Sequence, residues 1–182
     1  MIFFGFFFEC IFLIFCTILF ILTFNSSKRK DLFKILGFGL FYKLLFFFFI
    51  NTYVSTYSDG FAFQDDYDYH HVSKEMSENW VQGQFYSPKE IKYQAEKNPG
   101  YYYLNALVYS VFGANEINAR LVNLFLSIFI SFYIFILGNT IFSRNVGIFS
   151  AFTFLLLPDI NFWSSLQFKD ITVSFLTITI FY

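Results

Sequence analysis

The chain has 182 residues, of which 57% are hydrophobic and 14% charged, with a mean hydropathy of +0.54. That composition excludes an ordinary soluble domain, in which roughly 25% of residues are charged. A formal net charge of −1 leaves no basic surface to neutralise phosphates, so nucleic acid is excluded as a partner.

Phe supplies 32 residues and Pro only 3, so the apolar runs are seldom interrupted and suit helices that cross a bilayer. The first run, Ile2 to Phe24, would rise roughly 34 Å as a helix, enough for a hydrocarbon core of about 30 Å. No basic segment precedes it and no small-residue cleavage site follows, which argues against a signal peptide. Cys10 and Cys16 fall inside this run without metal-ligand spacing and read as inert core thiols. Glu9 has no evident partner.

Lys28, Arg29, Lys30 and Lys34 follow directly. Short basic loops stay cytoplasmic, so the N-terminus is expected outside and the second run, Ile35 to Val54, travels outward. Lys43 is expected to snorkel back toward the cytoplasmic face. Residues 55–118 then form an exterior loop. Its segment 55–98 carries Asp59, Asp65, Asp66, Asp68, Glu75, Glu78, Glu90 and Glu96 against Lys74, Lys89, Lys92 and Lys97. Within it Tyr69 to Trp80 predicts an amphipathic helix, and Ser87-Pro88-Lys89-Glu90 a helix start with Pro at the first position. Tyr101 to Phe112 is apolar but too short to cross, and predicts a juxtamembrane or re-entrant helix.

Ala119 to Ile141 is a full span opened by Arg120, and Arg144 in the following turn should be cytoplasmic. The chain then returns outward over about 146–160 to a second exterior loop, 160–170, ending in Lys169-Asp170. A last apolar run, 171–182, is shorter than a full span. The expected fold class is therefore an all-α integral membrane protein: a multi-spanning helical bundle with an exterior loop of juxtamembrane helices, truncated at its C-terminus.

The densest polar cluster is Gln64-Asp65-Asp66-Tyr67-Asp68-Tyr69-His70-His71. Neighbouring carboxylates raise one another's pKa and attract cations, so the cluster could supply a general base or a metal ligand. A solvated acidic loop is the plainer alternative. A zinc site fits poorly, because adjacent histidines point about 100° apart on a helix and no HExxH pattern is present. Lys169-Asp170 at the mouth of an apolar run is a second candidate, with an interfacial helix cap as its plain alternative. Arg120 could anchor the interface or neutralise an anionic phosphate.

The order of these features resembles the N-terminal third of the GT-C superfamily of membrane glycosyltransferases, in the branch with protein O-mannosyltransferases and lipid A aminoarabinose transferases. The likeness rests on Asp65-Asp66 followed by Tyr69, then Asn98-Pro99-Gly100-Tyr101-Tyr102-Tyr103, Phe112-Gly113, Ala119-Arg120, Pro158, Trp163-Ser164-Ser165 and Lys169-Asp170. Two departures are an Asp at the second acidic position and the extra first span. The resemblance implies an inverting sugar transfer, at the exterior face of the cell membrane, from a polyprenyl-phosphate-linked donor to a hydroxyl of a glycan, lipid or protein acceptor. It implies Asp65 as base, Asp66 as the group orienting substrate or cation, and Asp170 beside them. Arg120 and Lys169 would meet the phosphate, and Tyr69 and His70 would shape the substrate groove. A divalent cation on Asp65, Asp66 and Asp170 is the alternative source of positive charge. Rival readings are a transporter or channel component with an acidic cation site, a surface-polysaccharide polymerase, and an inactive fragment.

Overall fold

The computed structural model describes residues 2–92, 95 and 98–182, with side chains from residue 6 onward. Glu96 and Lys97 of the charge count above lie outside the described residues. All regular structure among the described residues is helical: α1 (Ile2–Leu22), α2 (Ser26–Tyr57), α3 (Gln64–Val81), α4 (Pro88–Ile91), α5 (Pro99–Phe112), α6 (Glu116–Ile141), α7 (Arg144–Leu156), α8 (Pro158–Ser164) and α9 (Lys169–Phe181). Helices α2 and α6 are long and apolar enough to cross a membrane, and α7 with α8 makes a third crossing if the bent pair is one span.

Helix α6 is the hub, touching α1, α2, α5, α7, α8 and α9. Its Leu121, Leu124, Ile128, Phe132 and Phe135 meet Ile21 of α1, Leu32, Ile35 and Phe47 of α2, and Ala151 and Leu155 of α7 in one core. Helices α6 and α7 approach most closely where Gly138 faces Gly147. A Cβ on Gly138 would lie 2.8 Å from Gly147 Cα, and one on Gly147 would lie 2.6 Å from the Phe135 carbonyl oxygen. Small residues allow such contact between backbones inside a membrane.

Helix α2 begins nine residues before the apolar run, so Lys28 to Lys34 continue the helix instead of forming a loop. Asp31, buried at this end, accepts two hydrogen bonds from Arg144, at 2.6 Å from Nε and 2.7 Å from Nη2. This fork-on-fork pair puts Arg144 at the same end of the bundle as the basic cluster of α2. Lys43 does not snorkel. It is 1% exposed, and its Nζ donates to Asn161 Oδ1 at 3.0 Å and Ser164 Oγ at 3.3 Å. The chain bends by 61° between α7 and α8, where Pro158 keeps Leu157 extended. The bend carries the polar face of α8 inward to Lys43, which explains the difference. Glu9 is fully buried in α1, and neither carboxylate oxygen has a hydrogen-bond partner among the described residues.

At the opposite end α3, α4 and α5 form a layer over the bundle. Tyr69, Val72 and Met76 of α3 interlock with Tyr101, Tyr102 and Ala106 of α5, and Ser73 Oγ donates to the Tyr102 carbonyl at 3.1 Å. Helix α4 carries a capping box between Ser87 and Glu90, with Pro88 at its start. Helix α5 stops at Gly113, whose φ of +103° suits glycine, and the Asn118 amide covers the freed carbonyls of Phe112 and Gly113 at 3.2 and 2.9 Å.

Candidate functional site

The acid-rich end is organised around one buried ion pair. Arg120 Nη2 donates to Asp66 Oδ2 at 2.8 Å and to the Gly60 carbonyl at 2.7 Å, while Nη1 donates to Asn51 Oδ1 at 2.7 Å. Asp66 also accepts from the Ala62 amide at 3.2 Å and the Gln167 amide at 3.1 Å. The two side chains are 2% and 0% exposed. Burial pushes the Asp66 carboxyl up, and the Arg120 charge and the two amides oppose that shift. The pair joins α2, the turn at 58–60, α3, α6 and the second loop.

This geometry bears on two expectations. Arg120 stands in the first turns of α6 and is enclosed, with Asp66 of α3 as its ion-pair partner. Asp66 has both carboxylate oxygens hydrogen-bonded within the protein. Among the described residues, no three Asp, Glu, His or Cys side chains are grouped to hold a metal ion, so Asp65, Asp66 and Asp170 do not converge as ligands.

Asp65 and Asp170 behave differently. Both are exposed, and among the described residues neither makes a hydrogen bond or ion pair. The Tyr69 hydroxyl is pushed up by burial, then by Tyr102, Asp65, Asp170 and Asp68, so the charges of both loops bear on one phenol. Tyr69 is buried, edge-on to Tyr101 at 4.7 Å. His70 is buried as well, with Nδ1 2.8 Å from the Tyr109 hydroxyl, which donates to Gln167 Oε1 at 3.1 Å. With that proton committed, Tyr109 accepts from an Nδ1–H tautomer of His70. Burial first, then the charges of His71, Lys74 and Arg120, push the His70 pKa down to about 4.

Lys169 is half-buried, its Nζ donating to Asn98 Oδ1 at 3.0 Å. Both residues stand at one end of a cavity of about 540 Å³ between α5, α6 and α9, whose walls include Leu104, Val122, Leu126, Val173, Phe175 and Leu176. It is an apolar trough with an ammonium at its mouth. Tyr101 lines the same cavity, so the Tyr69–Tyr101 contact connects the trough to α3.

Several residues of this end went unremarked in the sequence. Asn123 Nδ2 lies 2.9 Å from each of the Tyr101 hydroxyl, the Leu166 carbonyl and the Phe168 carbonyl, and so holds the loop just before Lys169. Gln167 and Asn51 anchor the ion pair, and Asn51 Nδ2 also donates to the Ser165 carbonyl at 3.2 Å. An amide inside an apolar run was the available signal for Asn51 and Asn123, because such groups need an internal partner. Gln167 and Tyr109 carried none.

Residues 96–182 match the dolichyl-phosphate-mannose-protein mannosyltransferase family. Neither the curated proteins nor the solved structures gave a match. The mannosyltransferase match supports a GT-C-like membrane glycosyltransferase and covers α5 to α9, hence Arg120, Lys169, Asp170 and the apolar trough. Asp65 and Asp66 precede the matched stretch and are brought to it by the fold, through the Asp66 bonds to Arg120 and Gln167.

Proposed function

We propose that this protein transfers a sugar from a polyprenyl-phosphate-linked donor to an acceptor hydroxyl at the exterior face of the membrane. The observation that carries the reading is the apolar trough with Lys169 in its lining, whose wall residue Tyr101 packs edge-on against Tyr69 of the acid-rich helix α3. A polyprenyl chain suits the trough, and its phosphate suits the Lys169 ammonium. Asp65 takes the proton from the acceptor hydroxyl, whose oxygen bonds to the anomeric carbon with inversion. The bond from that carbon to the phosphate oxygen breaks, and the phosphate leaves with the electron pair toward Lys169. Asp170 orients the sugar between them. Asp66 and Arg120 act through position, holding α3 so that Asp65 projects outward.

The exterior assignment follows from charge. Arg144 joins Lys28, Arg29 and Lys30 at one end of the bundle through Asp31, and basic ends face the cytoplasm. A transport reading draws on the 61° break and on buried Lys43, features that line pathways in transporters. Here Lys43 is held by the neutral Asn161 and Ser164, which suits a helix clamp.

The test is label transfer by membranes carrying the full-length gene product, supplied with radiolabelled polyprenyl-phosphate sugars. Asp65→Asn should insert normally and abolish transfer, a loss of at least roughly 10²-fold for removal of a general base. Full activity in that variant would sink the assignment of Asp65. No transfer from any donor would move the weight to transport.

A further inference from the structure

The acid-rich end carries a second cavity, of about 640 Å³, unlike the trough in its lining. It lies between the turn that follows α2 and the first two turns of α3, with Phe61, Phe63, Tyr67 and His71 as its rings and Asp59 and Gln64 among its polar groups. Tyr67 and His71 are one helical turn apart with ring centroids at 4.0 Å, and Phe61 is 5.3 Å from Tyr67 and 5.8 Å from His71. Phe63 and Tyr67 are 48% and 44% exposed.

Those rings are not core. Helix α3 turns Asp66, His70 and Ser73 inward and leaves Tyr67 and His71 on its open side. Nor do they fit a lipid-facing aromatic belt, the role that suits Tyr53 and Tyr57 on the flank of α2, the latter 74% exposed. The cavity is concave, and the exposed Asp59 carboxylate at its edge would be costly against lipid. A ring of aromatic groups with a few convergent polar ones marks a binding site for a small molecule.

The chemistry of the walls narrows the occupant. Asp59 disfavours an anion. A cation would be drawn to aromatic faces, but the Phe61 ring is already engaged by the Arg120 guanidinium at 5.7 Å. What remains is a neutral ring with an apolar C–H face to lie on Tyr67 and hydroxyls to donate to Asp59 and Gln64. We infer that this cavity binds a pyranose ring of a neutral saccharide, which makes the acceptor a glycan. The acceptor role rests on the transferase reading; the binding does not.

Position favours that role. Gln64 and Tyr67 line the cavity, Asp65 lies between them in the same turn, and its charge reaches Tyr69 on the trough side. Phe63 stacks on Trp163 at 6.0 Å and meets Phe168 at 5.7 Å edge-on, so the cavity wall continues into the segment that leads to Lys169. Asp65 thus follows directly in sequence on a residue of the cup, Gln64, on the helix whose Tyr69 packs against the trough residue Tyr101.

The experiment is saturation-transfer NMR on the full chain in a detergent without a sugar headgroup, with methyl mannoside and methyl glucoside as probes and tetramethylammonium as competitor. Wild type should transfer saturation to the pyranoside ring protons. Tyr67→Ala should weaken binding roughly three- to tenfold, the worth of one aromatic contact, and Asp59→Asn should weaken it as well, while Tyr57→Ala leaves it unchanged. Equal signal in Tyr67→Ala and wild type, no signal from either pyranoside, or displacement by tetramethylammonium would each overturn the proposal. Pyranoside binding by wild type without transfer from any donor would defeat the transferase reading and leave the saccharide site standing.

Discussion

Asp65 and Asp66 are neighbours in sequence and opposites in environment. Asp66→Ala leaves Arg120 buried without a counter-charge, and breaking a buried pair this way costs about 3–5 kcal/mol. The expected outcome is a lower melting temperature in detergent and little folded protein, whereas Asp65→Asn should melt like wild type. A variant at Asp66 that stayed fully stable would contradict the ion pair as the organising contact. The two roles were not legible in the sequence, because adjacency hides which of two carboxylates a helix turns inward. His70 adds a pH dependence. Its folded pKa of about 4 lies below the ordinary 6.5, so the unfolded chain binds the proton more readily, and the stability it contributes is complete above about pH 6.5. That contribution should be lost as pH falls from about 6.5 through about 4. Melting of wild type and His70→Gln at pH 7.5 and 5.0 checks it: wild type should lose more of its melting temperature than the variant.

Among the elements, the α6–α7 hairpin has the least room. Gly147→Ala would set a methyl 2.6 Å from the Phe135 carbonyl oxygen and 2.8 Å from the Asn139 nitrogen, backbone atoms that cannot step aside. Separating the two helices should cost about 1–3 kcal/mol, the usual range for overpacking. Gly37 of α2 has nothing within 4 Å of its added Cβ, so Gly37→Ala should be neutral or stabilising by about 1 kcal/mol from helix propensity. Thermal unfolding of the two variants in one detergent compares them, and equal melting would contradict the close crossing. Hydropathy could suggest the helices themselves, since runs such as Ala119 to Ile141 are apolar throughout. It could not place the crossing, because a glycine inside an apolar run looks the same whether it faces lipid or another backbone. The break at Pro158 was visible as a proline, but its effect on Lys43 depended on the 61° bend.

At the scale of the whole molecule, the basic end of α2 with Arg144 and the acid-rich layer of α3 to α5 lie at opposite ends of the bundle. Single cysteines at Ser27 and Gln84, both exposed, should react with a membrane-impermeant maleimide from opposite faces, Gln84→Cys from outside, in a background with Cys10 and Cys16 replaced. Labelling of both from one face would overturn the exterior assignment. The likeness to GT-C enzymes could be reached from sequence because it rests on the order of short motifs along the chain. The union of the two loops could not, since the contacts that make it are between distant residues. The amide that Gln167 gives to Asp66 joins residues 101 positions apart. At 5–20 residues per second, a ribosome needs roughly 5 to 20 s to travel from one to the other. Throughout that interval Asp66 exists without the amide that holds it, while the rest of the acid-rich layer and then the second loop are still being made. The Asp66 contacts are complete only once the second loop exists, so assembly of this end is timed by translation, and an interrupted synthesis leaves that carboxylate without the Gln167 amide.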